Sequence, residues 1–374
     1  MKQTITRIVL AGALIIGVAA CSSDSTETTA ATATEAAAAS TEAAAATEAP
    51  STEAASTEAS VTEAAAVEAP ETVAAAAAAT AFPFTFDNCG EPVTLDASPK
   101  KLVLTEASAV ATLDAVGALD RVIARTGEYP PEYFSAEVNA KLAKIPALTS
   151  TQGSTGGIEI SLETIIDAGP DLVIGYETET IKREGLAKAG IDLYVIPPFC
   201  DTAPPVSFAS IYDEVRLYGK FFENETGANA AADALKATVD ATSSAVSAVK
   251  GKKAAALYVS SDGSALYAYS SLGMVHPQME ALGLVNVFAE LKERVPEVSI
   301  EELLNRDPEV LILLYTDTKV TPEKITSLVA DLPGAKGMAA LSGGKVVPFL
   351  FNFSEPPSPL VVDGLGRLAT LLAN

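Results

Sequence analysis

The sequence predicts an α/β protein of two similar lobes with a cleft between them. Three observations carry that reading. A fourteen-residue unit occurs twice, strands and helices alternate through both halves, and a long run of helix formers separates the halves. Residues 161–174 read Ser-Leu-Glu-Thr-Ile-Ile-Asp-Ala-Gly-Pro-Asp-Leu-Val-Ile, and residues 299–312 read Ser-Ile-Glu-Glu-Leu-Leu-Asn-Arg-Asp-Pro-Glu-Val-Leu-Ile. In each, a Ser caps a short helix, a Pro stops it, and an acidic residue leads into a buried strand.

The chain opens with residues that are not fold. Lys2 and Arg7 precede an apolar run, Ile8–Val18, too short to span a bilayer comfortably. Val18-Ala19-Ala20 then abuts Cys21. This pattern resembles a bacterial lipoprotein processing site, which implies a signal peptide at residues 1–20 and lipid on Cys21. Residues 21–81 read as a disordered tether of Ala, Thr, Glu and Ser. Residues 22–80 hold ten acidic side chains and no basic one. Glu48, Glu53, Glu58, Glu63 and Glu68 recur every five residues, which suits neither helix nor strand. Such a segment buries too little to offset its ordering entropy, and its charges extend it.

Within the body, Lys101–Leu104 reads as a strand. A helix follows, ending at Ala115-Val116-Gly117, then a strand at Arg121–Ala124. The polar, Gly-rich stretch from Tyr129 to Gly157 reads as loops over a rim. After the first duplicated unit, Leu186–Gly190 ends a helix before the strand Leu193–Ile196. Phe208, Ile211, Tyr212, Val215, Tyr218 and Phe222 share one helix face. Asn224–Gly227 reads as a break, and Ala228–Val249 as one helix of about 22 residues, spanning roughly 33 Å. The second half repeats the order. Ala254–Val259 is a strand, a helix ends at Ala281-Leu282-Gly283, and Val285-Asn286-Val287 follows. After the second unit, Met338–Gly343 ends a helix before the strand Val346–Pro348. The alternation argues for parallel sheets with right-handed crossovers. The divisions are an N-terminal lobe at 82–225, an interlobe helix at 226–250 and a C-terminal lobe at 251–374.

Composition narrows the function. The total charge is −23; without the ten tether acids and the two leader cations the body carries −15. No basic stripe exists to neutralise phosphates, so nucleic acid is not a partner. The one histidine, His276, argues against Ser-His-Asp, Cys-His and His-rich zinc chemistry. It reads as a surface or cap residue. Gly153-Ser154-Thr155-Gly156-Gly157 lacks the Gly-Lys-Ser/Thr ending of a phosphate loop. Glu177 and Glu179 could serve as an acid–base pair, but no spacing rule singles them out. Cys89 and Cys200 stand either as a disulfide or as two buried thiols, and an exported location favours the bond. It would close a loop of about 110 residues, worth up to roughly 4–5 kcal/mol on the chain-entropy model.

Several segments together resemble the solute-binding proteins of ABC importers for ferric siderophores, haem and cobalamin. They are Pro99-Lys100-Lys101-Leu102-Val103, the run Leu113–Val122, both Ser-x-Glu units, and Leu282-Gly283-Leu284-Val285-Asn286-Val287. The resemblance covers nearly all of residues 86–374. It implies two Rossmann-like lobes joined by one long rigid helix, ligand bound in the cleft, and only slight closure. The starts Asn88-Cys89-Gly90 and Phe199-Cys200 look like an actinobacterial-type branch in which those cysteines pair. Family members dock on the permease through one acidic residue per lobe, and Glu163 and Glu301 occupy the matching positions. Each could otherwise serve only its own helix dipole. Ser299 and Glu302 read as a capping box.

The resemblance implies a binding protein rather than an enzyme, with no cofactor; iron enters only within a bound siderophore. Its partners would be an ABC importer permease and a small-molecule iron chelate. The chain would be a monomer on the extracytoplasmic face of the cell membrane, held through its lipid alone. In open α/β sheets ligands lie outside the carboxyl ends of strands. That rule nominates Ser108, Arg125, Tyr129, Tyr176 and Arg183 in the first lobe. In the second it nominates Tyr267, Tyr269, Ser271, Met274, Tyr315 and Phe351. Tyrosines and Phe351 offer rigid contact area, and the arginines offer paired donors to chelating oxygens. An acidic body does not repel a neutral or mildly cationic ferric hydroxamate, whereas a strongly anionic catecholate wants several converging cations. Haem would need an axial ligand from His276, Met274 or a cleft Tyr. Cobalamin would need a wide, mostly polar cleft.

Overall fold

The computed structural model describes residues 80–373 apart from 128, 152–158, 246–248, 261–262 and 317–319. The leader, Cys21, nearly all of the tether and the Gly153–Gly157 loop lie outside those residues.

A hairpin of β1 (Phe84–Asn88) and β2 (Glu91–Leu95) opens the body, antiparallel with Phe84 opposite Leu95. Its two turn residues, Cys89 and Gly90, both have positive φ, as the tightest hairpin turns require. Cys89 is bonded to Cys200, 111 residues on, with Cα atoms 5.3 Å apart.

The first sheet contains β3 (Leu102–Leu104), β4 (Val122–Thr126), β5 (Ala147–Thr149), β6 (Leu172–Gly175) and β7 (Asp192–Val195). Between them run α1 (Ala109–Ala115), α2 (Ala136–Leu142), α3 (Leu162–Ala168) and α4 (Arg183–Ala187). All pairings are parallel, in the order β5-β4-β3-β6-β7. The stretch from Tyr129 to Gly157 is therefore not all loop. Val138 and Leu142 turn inward from α2, and β5 adds an edge strand.

Two helices follow, α5 (Phe208–Phe221) and α6 (Glu225–Ala245). The break between them falls at Phe222–Asn224, earlier than the sequence reading placed it. Asn224 caps α6, its Oδ1 accepting from Gly227 N at 3.2 Å. A Cβ on Gly219 would lie 2.4 Å from the Ala228 Cβ, so only glycine permits this crossing of α5 and α6.

The second sheet holds β8 (Lys253–Val259), β9 (Leu266–Ala268), β10 (Val285–Asn286), β11 (Glu297–Val298), β12 (Val310–Tyr315) and β13 (Lys345–Leu350). Its helices are α7 (Val275–Ala281), α8 (Ile300–Arg306), α9 (Pro322–Ala330), α10 (Ala339–Ser342) and α11 (Pro359–Ala373). The core of the duplication is visible in the pairing. β8 sits between β10 and β12 as β3 sits between β4 and β6, and β13 follows β12 as β7 follows β6. The departure is an antiparallel insertion. β9 folds back on β8, and β11 pairs with β9, which the alternation of strand and helix did not reveal.

Both copies of the repeated unit are built alike. Ser161 Oγ accepts from Thr164 N at 3.2 Å, and Ser299 Oγ accepts from Glu302 N at 3.1 Å. Each helix ends in a left-handed residue one position before the proline, Gly169 and Asp307. Asp307 tolerates this, and its carboxylate accepts from Ala339 N at 2.8 Å. The capping box is only half made, because the Glu302 carboxylate is held by Arg306 at 2.7 Å instead.

Strand alternation sorts the core into three clusters. Leu102, Leu104, Leu172 and Ile174 face one side of the first sheet; Val103, Val173 and Leu193 face the other. Ala254, Ala256, Val310, Ile312 and Leu314 likewise oppose Ala255, Leu257, Leu311 and Leu313. The inner sets of both sheets belong to one continuous apolar cluster, joined through Ile211, Val215 and Tyr218 of α5, Ala228 and Ala232 of α6, and Leu365 of α11. Helix α6 packs on both α5 and α11. Two lobes sharing one core cannot swing apart without exposing it.

Candidate functional site

The carboxyl ends of strands from both sheets meet along the seam between the lobes. Thr105 continues β3, and Glu106 follows it. Glu106 Oε1 accepts from Ser108 N at 3.3 Å and, across the seam, from Asn352 Nδ2 at 2.8 Å. Burial raises the Glu106 pKa above the ordinary carboxylate value, against the opposing pull of the Ser108 and Asn352 hydrogen bonds.

Arg125 lies on β4 and stacks over Tyr129, its guanidinium carbon 4.8 Å from the ring centroid. Its Nη1 donates to Gly127 O at 3.3 Å, and its Nε is enclosed with no protein acceptor. Burial, reinforced by the nearby Glu106, drives the Tyr129 pKa well above the usual phenol value, so its hydroxyl stays neutral. Tyr176, following β6, packs on Phe199 at 5.0 Å between centroids. On the facing lobe, Tyr258 of β8 meets Phe351 edge-on at 5.9 Å, and its hydroxyl lies 3.1 Å from Thr316 Oγ1.

Arg294 closes the seam from the second lobe. Its guanidinium is 5.9 Å from the Phe199 ring and 3.1 Å from Glu355 Oε2. Glu355 has no exposed surface, and its Oε1 accepts from Val275 N at 3.2 Å. Burial pushes its pKa up to about 7 despite Arg294. Tyr133 completes the contact. Its ring meets Phe353 edge-on at 4.9 Å, and its hydroxyl accepts from Asn352 N at 3.0 Å.

Of the eleven residues nominated from sequence, Arg125, Tyr129, Tyr176 and Phe351 gather on this seam. Ser108 is buried beside Glu106, at the start of α1. Tyr269 is buried, with Glu355 and Arg294 among its neighbours, and Met274 has no exposed surface. Ser271 is exposed, and Tyr267 pairs with Tyr258 and Glu297 within the antiparallel insertion. Tyr315 lines a groove of about 500 Å³ with Glu132, Phe349, Phe353 and Arg367. Arg183 is committed elsewhere: it donates to Leu193 O at 3.0 Å and Asn88 Oδ1 at 2.8 Å, locking the disulfide hairpin to β7. His276 pairs with Glu280 at 3.4 Å on α7.

Sequence reasoning passed over Glu106, Tyr133, Phe199, Tyr258, Arg294, Asn352 and Glu355. Glu106 and Asn352 follow buried strands, so the strand-end rule could have found them. Arg294 and Glu355 lie in irregular segments that carry no periodic signal.

Glu163 and Glu301 are both exposed in the first turns of α3 and α8. Bonds from its own backbone amide and from Ser161 hold the Glu163 carboxyl below the usual range.

The seam can hold a ligand by ring faces, the neutral Tyr129 phenol and the Arg125 guanidinium stacked on it. Among the described residues no cluster of three or more His, Cys, Asp or Glu side chains could hold a metal ion. No helix among them is long and apolar enough to cross a membrane.

The chain matches the family model for periplasmic binding proteins over residues 102–348. A crystal structure of an ABC-type Fe3+-hydroxamate transport system from Saccharomonospora viridis is 40% identical with a TM-score of 0.74, covering 79% of this chain and 100% of that one. A cobalamin-binding protein of Halobacterium salinarum is 24% identical over 317 residues, 82% of this chain and 78% of the relative. The periplasmic haem-binding protein of Roseiflexus in its apo form is 20% identical with a TM-score of 0.57, covering 73% of this chain and 97% of that one, a likeness of fold alone.

Proposed function

The chain belongs to the periplasmic binding protein family, and from that premise we propose that it captures a ferric siderophore and hands it to the permease of an ABC importer. The family consists of solute-binding proteins rather than enzymes. The observation that carries the ligand reading is the composition of the seam. Tyr129, Tyr176, Phe199, Tyr258 and Phe351 supply aromatic surface, and Arg125 supplies a guanidinium stacked on Tyr129. Glu106 is an acidic neighbour of Tyr129. A hydroxamate chelate, neutral or mildly cationic, suits that lining and a body at −15, whereas a strongly anionic catecholate chelate would meet the Glu106 carboxylate beside Tyr129. The hydroxamate-transport relative at 40% identity supports the same reading.

Cys21 carries the lipid in this proposal, and the acidic tether spaces the body from the membrane. Glu163 and Glu301 are the two exposed anions that register the lobes on the permease. A cobalamin ligand is the second reading, favoured by the halobacterial relative.

The test is titration at low and high salt with ferrioxamine B, a ferric catecholate, haem and cobalamin. Tight ferrioxamine binding that changes little with salt is expected. Tight binding of the catecholate or haem with no measurable hydroxamate affinity overturns the reading, and binding of cobalamin alone replaces it with the second.

A further inference from the structure

We propose that Asn352 is the positioning residue of the ligand seam: a two-bond latch that sets the spacing of the lobes from the second lobe's side. As a role in ligand capture this rests on the binding reading above, but the latch itself does not.

Asn352 is held first by its own lobe. It lies in a single turn, Phe351–Phe353, directly after β13. That turn is anchored to the second lobe on several sides. Gln278 Nε2 donates to Phe353 O at 2.7 Å and to Val361 O at 2.8 Å, and Ser354 Oγ donates to Gln278 Oε1 at 2.7 Å. Gly364 lets α11 press on the same turn, since a Cβ there would lie 1.9 Å from Phe353 O. Glu355, gripped by Val275 N and Arg294, ends the segment. Asn352 Nδ2 also donates to Glu355 O at 3.0 Å, which orients its amide.

From this fixed base Asn352 reaches the other lobe twice. Its side chain donates to Glu106 Oε1 at 2.8 Å, and its backbone N–H donates to Tyr133 Oη at 3.0 Å. Only 5% of Asn352 is exposed, so both bonds lie where water competes poorly. Opening the seam would leave a buried carboxylate without its side-chain donor and a backbone N–H without its acceptor. The two first-lobe partners flank the ligand residues. Glu106 neighbours Tyr129, and Tyr133 follows it by four positions. A change in the latch therefore shifts the Arg125–Tyr129 stack relative to Tyr258 and Phe351. Asn352 acts through these groups and need not touch the ligand.

The test uses charge inversion and rescue in the full chain. Asn352→Asp sets a carboxylate against Glu106. Glu106→Gln added to it restores the donor–acceptor pair across the seam with the roles exchanged, while Glu355 O lacks its residue-352 donor in both variants alike. Amide exchange reads the latch without ligand, because the residue-352 N–H is itself one of its bonds. In Asn352→Asp that amide is expected to exchange at least about tenfold faster, and in the double variant to recover most of its protection. The Val275 amide, bonded to Glu355, should keep its wild-type protection throughout. Ferrioxamine B affinity should weaken about tenfold in Asn352→Asp and return to within about threefold in the double variant. Absence of rescue, with Val275 still protected, would mean that Asn352 merely shapes its own turn and would overturn the proposal. Should Asn352→Asp fail to fold, Tyr133→Phe removes one latch acceptor alone; unchanged exchange at residue 352 in that variant overturns it equally. If wild type does not bind ferrioxamine B, the ligand reading fails, and the exchange data still decide the latch.

Discussion

Replacing Glu214 with Gln should stabilise the protein increasingly as pH rises from 5 to 8. Glu214 lies on the inward face of α5 and is 8% exposed, with the Tyr194 and Tyr218 hydroxyls beside it. Burial pushes its pKa up to about 8, from an ordinary 4.5. Below pH 4.5 both the folded and unfolded chains hold the proton, and the group costs nothing. Between 4.5 and about 8 the unfolded chain releases the proton while the folded chain keeps it. Stability therefore falls as pH rises through that window, and above about 8 it falls no further. At 1.36 kcal/mol per unit the whole span is about 5 kcal/mol, an upper figure. Gln carries no such penalty, but it exchanges a carboxyl hydrogen bond for an amide one, which costs about 1 kcal/mol. The variant should thus be near wild type or slightly weaker at pH 5 and more stable by roughly 2–3 kcal/mol at pH 8. Urea unfolding of both proteins at pH 5, 6.5 and 8 measures the difference directly. A difference that stays constant with pH would refute the reasoning, because it would mean Glu214 ionises alike in both states. Glu355 contributes a slope of the same sign up to about pH 7, but it is common to both proteins and cancels.

Two further outcomes are expected. Cys89→Ser with Cys200→Ser should lower stability by up to roughly 4–5 kcal/mol, since the bond closes a 111-residue separation; the shift in urea midpoint measures it, and a change below about 1 kcal/mol would count against a stapling role. Glu163→Ala with Glu301→Ala should leave ferrioxamine affinity near wild type and abolish uptake by cells carrying the cognate permease. Undiminished uptake would return both carboxylates to their own helix ends.

Much of this protein was legible in the chain because its signals are local. The Ser caps at 161 and 299, the Pro that stops each helix, and the apolar runs at Leu102–Leu104 and Val310–Leu314 each depend on a few neighbouring residues. Their recurrence in two halves revealed two sheets of related order and a seam between them. The antiparallel pair β9 and β11 stayed hidden because its strands are three and two residues long, too short to show a period. The hairpin β1–β2, whose turn contains Cys89, was passed over although its five-residue strands alternate.

The seam divides differently. Arg125, Tyr129, Tyr176 and Phe351 could be named from sequence because each stands just beyond or at the end of a strand. Whether such a side chain is available is another matter. Arg183 satisfied the same rule, yet Asn88, some ninety residues away, takes its guanidinium. Only tertiary structure could decide that, and only it could set Asn352 against Glu106, 246 residues earlier. Hydrogen bonds of that range leave no mark on local pattern. They arise when two lobes with one shared core bring their strand ends together, and the partner each polar group finds there depends on the packing of the whole chain.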